Sequence, residues 1–234
     1  MKHLLFLVFF VVSFVSFSQN DLLDSHFKDA DSLYREDQFY IGLGINILSD
    51  LPSGMRQSGL SGGFHLGFIR DLPLNKRRNI GLGIGLGLAL DTYSQNLFIG
   101  ETDQGSTIFE IIRSDLDYST NRFATQVVEM PFHFRWRTSD VGSSKSFWRI
   151  YGGVNVGYMY YFHSTFKQDN NEVEQTKLDE VNRLRWALYL SFGKSKINFF
   201  LNYSLNPFFD GTLDGSEIPI NVTVFKAGLV FYIL

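Results

Sequence analysis

The sequence predicts an all-β fold, an eight-stranded antiparallel transmembrane β-barrel with short periplasmic turns and longer extracellular loops. Three observations point there. Apolar residues alternate with polar or small ones through run after run beyond residue 38. The 234 residues include 24 Phe and 11 Tyr at a mean hydropathy of −0.03, too aromatic for an ordinary soluble surface and too polar for a helical membrane protein. Alternating lipid-facing and lumen-facing residues cancel in just this way. The connections between runs also alternate in length.

The first run, Phe39 to Leu48, has Phe39, Ile41, Leu43, Ile45 and Ile47 on one face and Gly42, Gly44 and Asn46 on the other. Leu60 to Arg70 sets Phe64, Leu66 and Phe68 against Ser61, Gly63, His65 and Gly67. Between residues 80 and 91 the alternation is strict, Ile80, Leu82, Ile84, Leu86, Leu88 and Leu90 against Gly81, Gly83, Gly85, Gly87, Ala89 and Asp91. In the fourth run Val128, Met130, Phe132, Phe134 and Trp136 oppose Glu129, His133, Arg135 and Arg137. In the fifth, Trp148, Ile150, Val154, Val156, Tyr158 and Tyr160 oppose Arg149, Asn155 and His163. Leu184 to Phe192 faces Arg183, Arg185, Tyr189 and Ser191, and Ile197 to Leu205 faces Asn198, Asn202, Ser204 and Asn206. The last run, Phe225 to Ile233, opposes Lys226, Gly228, Val230 and Tyr232.

Residues 72–79, 139–146 and 193–195 read as short turns, 50–58 as intermediate, and 94–120, 164–182 and 206–217 as long loops. An even number of strands places the short turns in the periplasm. Ahead of the barrel, assigned to 38–234, Lys2 and the apolar stretch Leu4 to Phe17 read as a secretory signal peptide over 1–18. About 14 apolar residues are too few to cross a bilayer as a helix. Residues 19–37 read as a periplasmic leader with a loose helical stripe, and export to the outer membrane follows. With no Cys, no disulfide is available, and a net charge of −3 argues against a nucleic-acid partner.

An eight-stranded barrel is just wide enough for side chains to fill, so the lumen should be packed and closed. Glycines on the first three strands leave room for long residues from the opposite wall: Glu129, His133, Arg135, Arg149, Arg183, Arg185, Tyr189 and Lys226. Buried guanidinium groups need carboxylate or Tyr partners, and Glu129 and Asp91 are the obvious candidates. Trp136, Trp148 and Trp186 read as interfacial aromatic anchors. His65, His133 and Glu129 lack the local spacing of a metal site, so no metal or other cofactor is expected. His163 beside Ser164 at the outer rim is the one pair of residues with hydrolase chemistry, and it has no identifiable third member. The glycine-alternating third run lacks the following helix of a nucleotide-binding loop and reads as barrel wall.

DSLYREDQFY at 31–40, GFHLGFIRDLPLNKRRN at 63–79, YSQNLFIGE at 93–101, EMPFHFRWRTS at 129–139 and FWRIY at 147–151 together resemble the PorT family of outer-membrane barrels. The resemblance reaches to about the fifth strand. It implies a non-enzymatic accessory or assembly component of the type IX protein secretion system, in some members serving gliding motility, with protein partners in a secretion complex and no catalytic residues. Arg35 in the leader and Lys76, Arg77 and Arg78 in the basic turn then become candidate periplasmic contacts, either with secretion proteins or with outer-membrane lipid. No small-molecule substrate is expected. The competing readings are a small porin or ligand-binding barrel, and a rim hydrolase acting on lipid A.

Overall fold

A computed structural model describes residues 37–102, 105–138 and 147–233. The signal peptide, Arg35 and nearly all of the leader lie outside the described residues, as does the turn at 139–146. Within them the chain forms eleven strands and no helix: β1 (Gln38–Ser49), β2 (Gly62–Pro73), β3 (Ile80–Ser94), β4 (Leu97–Glu101), β5 (Thr107–Ile111), β6 (Thr120–Arg137), β7 (Trp148–Gln168), β8 (Asn171–Gln175), β9 (Leu184–Lys194), β10 (Ile197–Ser204) and β11 (Thr223–Ile233).

Eight of these close into an antiparallel barrel in the order β1-β2-β3-β6-β7-β9-β10-β11, and the cylinder is shut by β11 pairing with β1. That closing seam runs from Phe39 opposite Ile233 to Ser49 opposite Thr223. Closure leaves neither long edge of the barrel unpaired, which a strand needs in a medium without water to satisfy its amides. The eight sequence runs correspond to the eight barrel strands. One irregularity lies between β3 and β6, where the pairs Ile84–Phe132 and Gly87–Glu129 flank a gap in the ladder at Pro131, a residue with no amide hydrogen to donate.

Two features differ from the sequence reading, both at the end where the long connections lie (the loop end; the other is the turn end). First, β6 begins at Thr120 and β7 runs on to Gln168, so both strands project well beyond the membrane-facing runs. There the polarity inverts. Phe123 and Val127 point inward and are buried, while Arg122 is exposed on the outer face. Second, the long connections are folded. β4 and β5 form a hairpin, β8 pairs with the end of β7, and 205–222 crosses the mouth through backbone bonds from Phe208 to Val222 and from Asn182 to Phe208.

A β-bulge also shifts the phase of β7. Gln126 pairs with Tyr161 and Val127 with Met159, leaving Tyr160 as the extra residue. Beyond it Phe162 fills the interior, and His163, expected in the lumen, sits half-buried on the other face.

Candidate functional site: the barrel interior

The interior is built in three tiers. At the turn end, Asp71 on β2 is fully buried and accepts hydrogen bonds from Arg135 Nη1 at 3.0 Å and Arg137 Nη2 at 2.6 Å. Arg135 also donates to the Gln38 side-chain oxygen and lies over the Tyr151 ring, 4.3 Å from its centroid. Arg137 donates from Nε to the Arg78 carbonyl at 2.7 Å, fastening the β2–β3 turn to the barrel floor. Two guanidinium forks converge on one carboxylate here, a geometry that satisfies both of its oxygens. Arg149, at the start of β7, is buried at the same level with its guanidinium over the Phe147 ring.

The middle tier is polar and aromatic. Lys226 Nζ donates to Asp91 at 2.5 Å, and Asn46 Nδ2 donates to the other oxygen of the same carboxylate at 3.0 Å. His65 Nε2 lies 3.6 Å from that second oxygen. Across the lumen Asn155 bridges His133 and Glu129, at 2.8 and 3.4 Å, and His133 stacks on Tyr189 with ring centroids 4.4 Å apart. Tyr189 and Ser191 meet the Tyr232 hydroxyl at 3.3 and 3.2 Å. Two small cavities, of about 20 and 30 Å³, remain among these groups. Each has room for about one or two waters, far short of a continuous path.

The loop-end tier is apolar. Tyr93, Phe123, Phe162, Phe208 and Phe209 form a cluster of buried rings, Phe123 lying 4.8 Å from Tyr93 and 5.4 Å from Phe208 by centroid. Leu97, Ile99 and Phe109 of the β4–β5 hairpin and Ile220 and Val222 of the crossing segment complete it. Arg185 marks the boundary below, donating to the Pro207 and Asn206 carbonyls at 2.5 and 3.0 Å with its guanidinium over Phe208. A soluble-type core therefore stoppers the loop-end mouth.

Glu129, His133, Arg135, Arg149, Arg185, Lys226 and Asp91 all lie buried inside the barrel. Three details differ from the sequence reading. Asp91 serves Lys226, and Glu129 serves Asn155; the carboxylate for the arginines is Asp71, which the sequence reading passed over. Its signal was its face: it falls on the same side of β2 as His65 and Ile69. Arg183 precedes β9, is half-buried, and donates to the Met159 carbonyl at 3.3 Å, so it stands apart from the lumen network. The glycine wall is filled chiefly by near neighbours. A Cβ on Gly83 would lie 2.8 Å from Arg135 Cδ, and on Gly87 it would strike the Tyr40 hydroxyl. Tyr40 was a second missed lumen residue.

Elsewhere, Ser164 is buried inside the wall while His163 meets Thr165 Oγ1 at 3.0 Å, so the rim pair is not brought together for catalysis. Among the described residues no group of three or more His, Cys, Asp or Glu is placed to hold a metal ion. Trp136 and Trp148 stand at the turn end and Trp186 toward the loop end, all with their rings outward. Lys76 and Arg77 are exposed at the tip of the β2–β3 turn, whereas Arg78 is half-buried with its carbonyl held by Arg137.

A closed cylinder with an apolar exterior and a packed interior defines a transmembrane β-barrel. The chain belongs to the family described as outer membrane protein beta-barrel domain, whose profile matches residues 17–210. No curated protein matches it. Barrels of this fold are typically non-enzymatic.

Proposed function

We propose that this protein is a non-conducting, non-enzymatic outer-membrane barrel that works through its surfaces as an accessory or assembly component of the type IX protein secretion system. The observation that supports this reading best is the blocked interior: a carboxylate clamped by two arginines at the turn end and an aromatic core at the loop end. Such a lumen has no use as a conduit, which leaves the two ends and the lipid-facing wall as the functional parts. The specific assignment to type IX secretion rests on the sequence resemblance of the segments between residues 31 and 151 to the PorT family. Clean deletion of the gene should abolish export of type IX cargo while leaving the permeability of the outer membrane to small solutes unchanged. Undiminished cargo secretion would refute the proposal.

A further inference from the structure

The exposed charges at the turn end are all cationic among the described residues: Arg70, Lys76, Arg77, Lys194 and Lys196. Of the carboxylates there, Asp71 is buried under the arginines and Asp37 accepts the Asp71 amide at 2.8 Å. The β2–β3 hairpin carries the densest part of this charge and holds it rigidly. Arg78 N donates to the Asn75 carbonyl at 2.9 Å, closing a turn with Lys76 and Arg77 at its tip. Asn75 Nδ2 donates to Asn79 at 2.6 Å, and the left-handed φ of 54° at Arg78 completes the reversal.

Arg70 supplies the independent observation. It lies on the lipid-facing side of β2 between Phe68 and Leu72 and pairs across the ladder with Ile84. It carries no ion pair among the described residues. Its ladder partner is four residues inside Ile80, where β3 begins and where Trp136 pairs. At about 3.4 Å per residue and a tilt of about 40° that is a depth of about 10 Å. A guanidinium at that depth snorkels toward the turn end, where the charge it meets first is a lipid phosphate. The tip of the same hairpin, further toward the turn end, carries the exposed Lys76 and Arg77.

We infer that Arg70, Lys76 and Arg77 form a binding site for the phosphate of an anionic phospholipid in the leaflet at the turn end. The arginine fork takes the phosphate oxygens and the two tip cations take the remaining headgroup charge. Lys194, directly across the β7–β9 ladder from the exposed Trp148, gives the β9–β10 turn, on the opposite side of the barrel, a similar cation-and-indole edge. The site is independent of any role in secretion.

The test is native mass spectrometry of the intact folded chain after exchange into micelles containing equal phosphatidylglycerol and phosphatidylcholine of matched acyl chains. The wild type should retain phosphatidylglycerol roughly a hundredfold over phosphatidylcholine, since three cations each worth about fivefold near a lipid surface multiply to about that preference. Arg70→Gln should remove a large part of that preference, and Arg70→Gln/Lys76→Gln/Arg77→Gln nearly all of it. Lys167→Gln/Lys177→Gln, at the loop end, should leave it intact. All four positions in the turn-end and loop-end variants other than Arg70 lie off the membrane wall, and an unchanged β-sheet circular dichroism spectrum certifies the fold. Equal retention of the two lipids, or full preference in the triple variant, overturns the inference. So does displacement of the lipid by millimolar inorganic phosphate, which marks a site for free anions.

Discussion

Replacing Asp71 with Ala removes the carboxylate that two buried arginines share. Both of its oxygens are used, at 3.0 Å to Arg135 and 2.6 Å to Arg137, and all three side chains are wholly withdrawn from solvent. Hydrogen bonds to charged groups contribute about 1.5–3 kcal/mol each. Breaking one partner of a buried ion pair costs about 3–5 kcal/mol. Two such bonds are lost here, but Arg135 keeps Gln38 and the face of Tyr151, and Arg137 keeps the Arg78 carbonyl. The expected loss is therefore about 4 kcal/mol for Asp71→Ala. Asp71→Asn, which retains one acceptor oxygen, should lose about half of that. Reversible urea unfolding of the barrel in lipid vesicles, followed by Trp fluorescence, measures both, since Trp136 is next to Arg137 in sequence and the Trp148 carbonyl accepts the Thr138 amide at 3.1 Å. A loss under about 1 kcal/mol for Asp71→Ala would refute the assignment of Asp71 as the clamp.

Three further outcomes follow from the same interior. Lys226→Met should destabilise by about 3–5 kcal/mol because Asp91 stays buried without its ammonium partner, while Lys226→Met/Asp91→Leu should recover most of the loss in the same urea titration. Gly87→Ala should cost about 1–3 kcal/mol through collision with the Tyr40 hydroxyl and the Leu66 carbonyl oxygen, and Tyr40→Phe should relieve the first part but not the second in a double-mutant cycle. Phe123→Ala should cost about 3–5 kcal/mol, since the ring packs against Tyr93, Phe162, Phe208 and Phe209; limited proteolysis should then cut within 205–222 before the barrel strands are attacked.

The membrane-facing part of this fold was legible because hydrocarbon enforces one sign of alternation: every outward residue from Phe39 to Ile47 must be apolar, and the inward set was free to be glycine or polar. Above the membrane the same period continues with the opposite sign. Phe123 and Val127 face in and Arg122 and Gln126 face out, so 121–127 fell unassigned between the loop read to Thr120 and the lipid-facing run from Val128. The bulge at Tyr160 had no local marker, and one extra residue exchanged the faces of Phe162 and His163. Within the lumen, parity placed Glu129, Arg135 and Lys226 correctly in direction, but partnership depends on depth along the barrel axis, which parity does not encode. Asp71 was masked by its neighbours: it fell between the run ending at Arg70 and the turn read from Leu72, although β2 runs on to Pro73.

The barrel shows hydrocarbon to lipid and a filled interior, with no continuous water path, to itself. Because the chain contains no Cys, single Cys variants along β10 can each carry one spin label. The decisive measurement is the collision of those labels, in bilayers, with oxygen dissolved in lipid and with a water-soluble nickel complex. Positions Ile197, Phe199, Leu201 and Tyr203 should collide with oxygen, and Asn198, Phe200 and Asn202 should be shielded from both reagents. Strong nickel collision at the second set would expose a water-filled lumen and contradict the account.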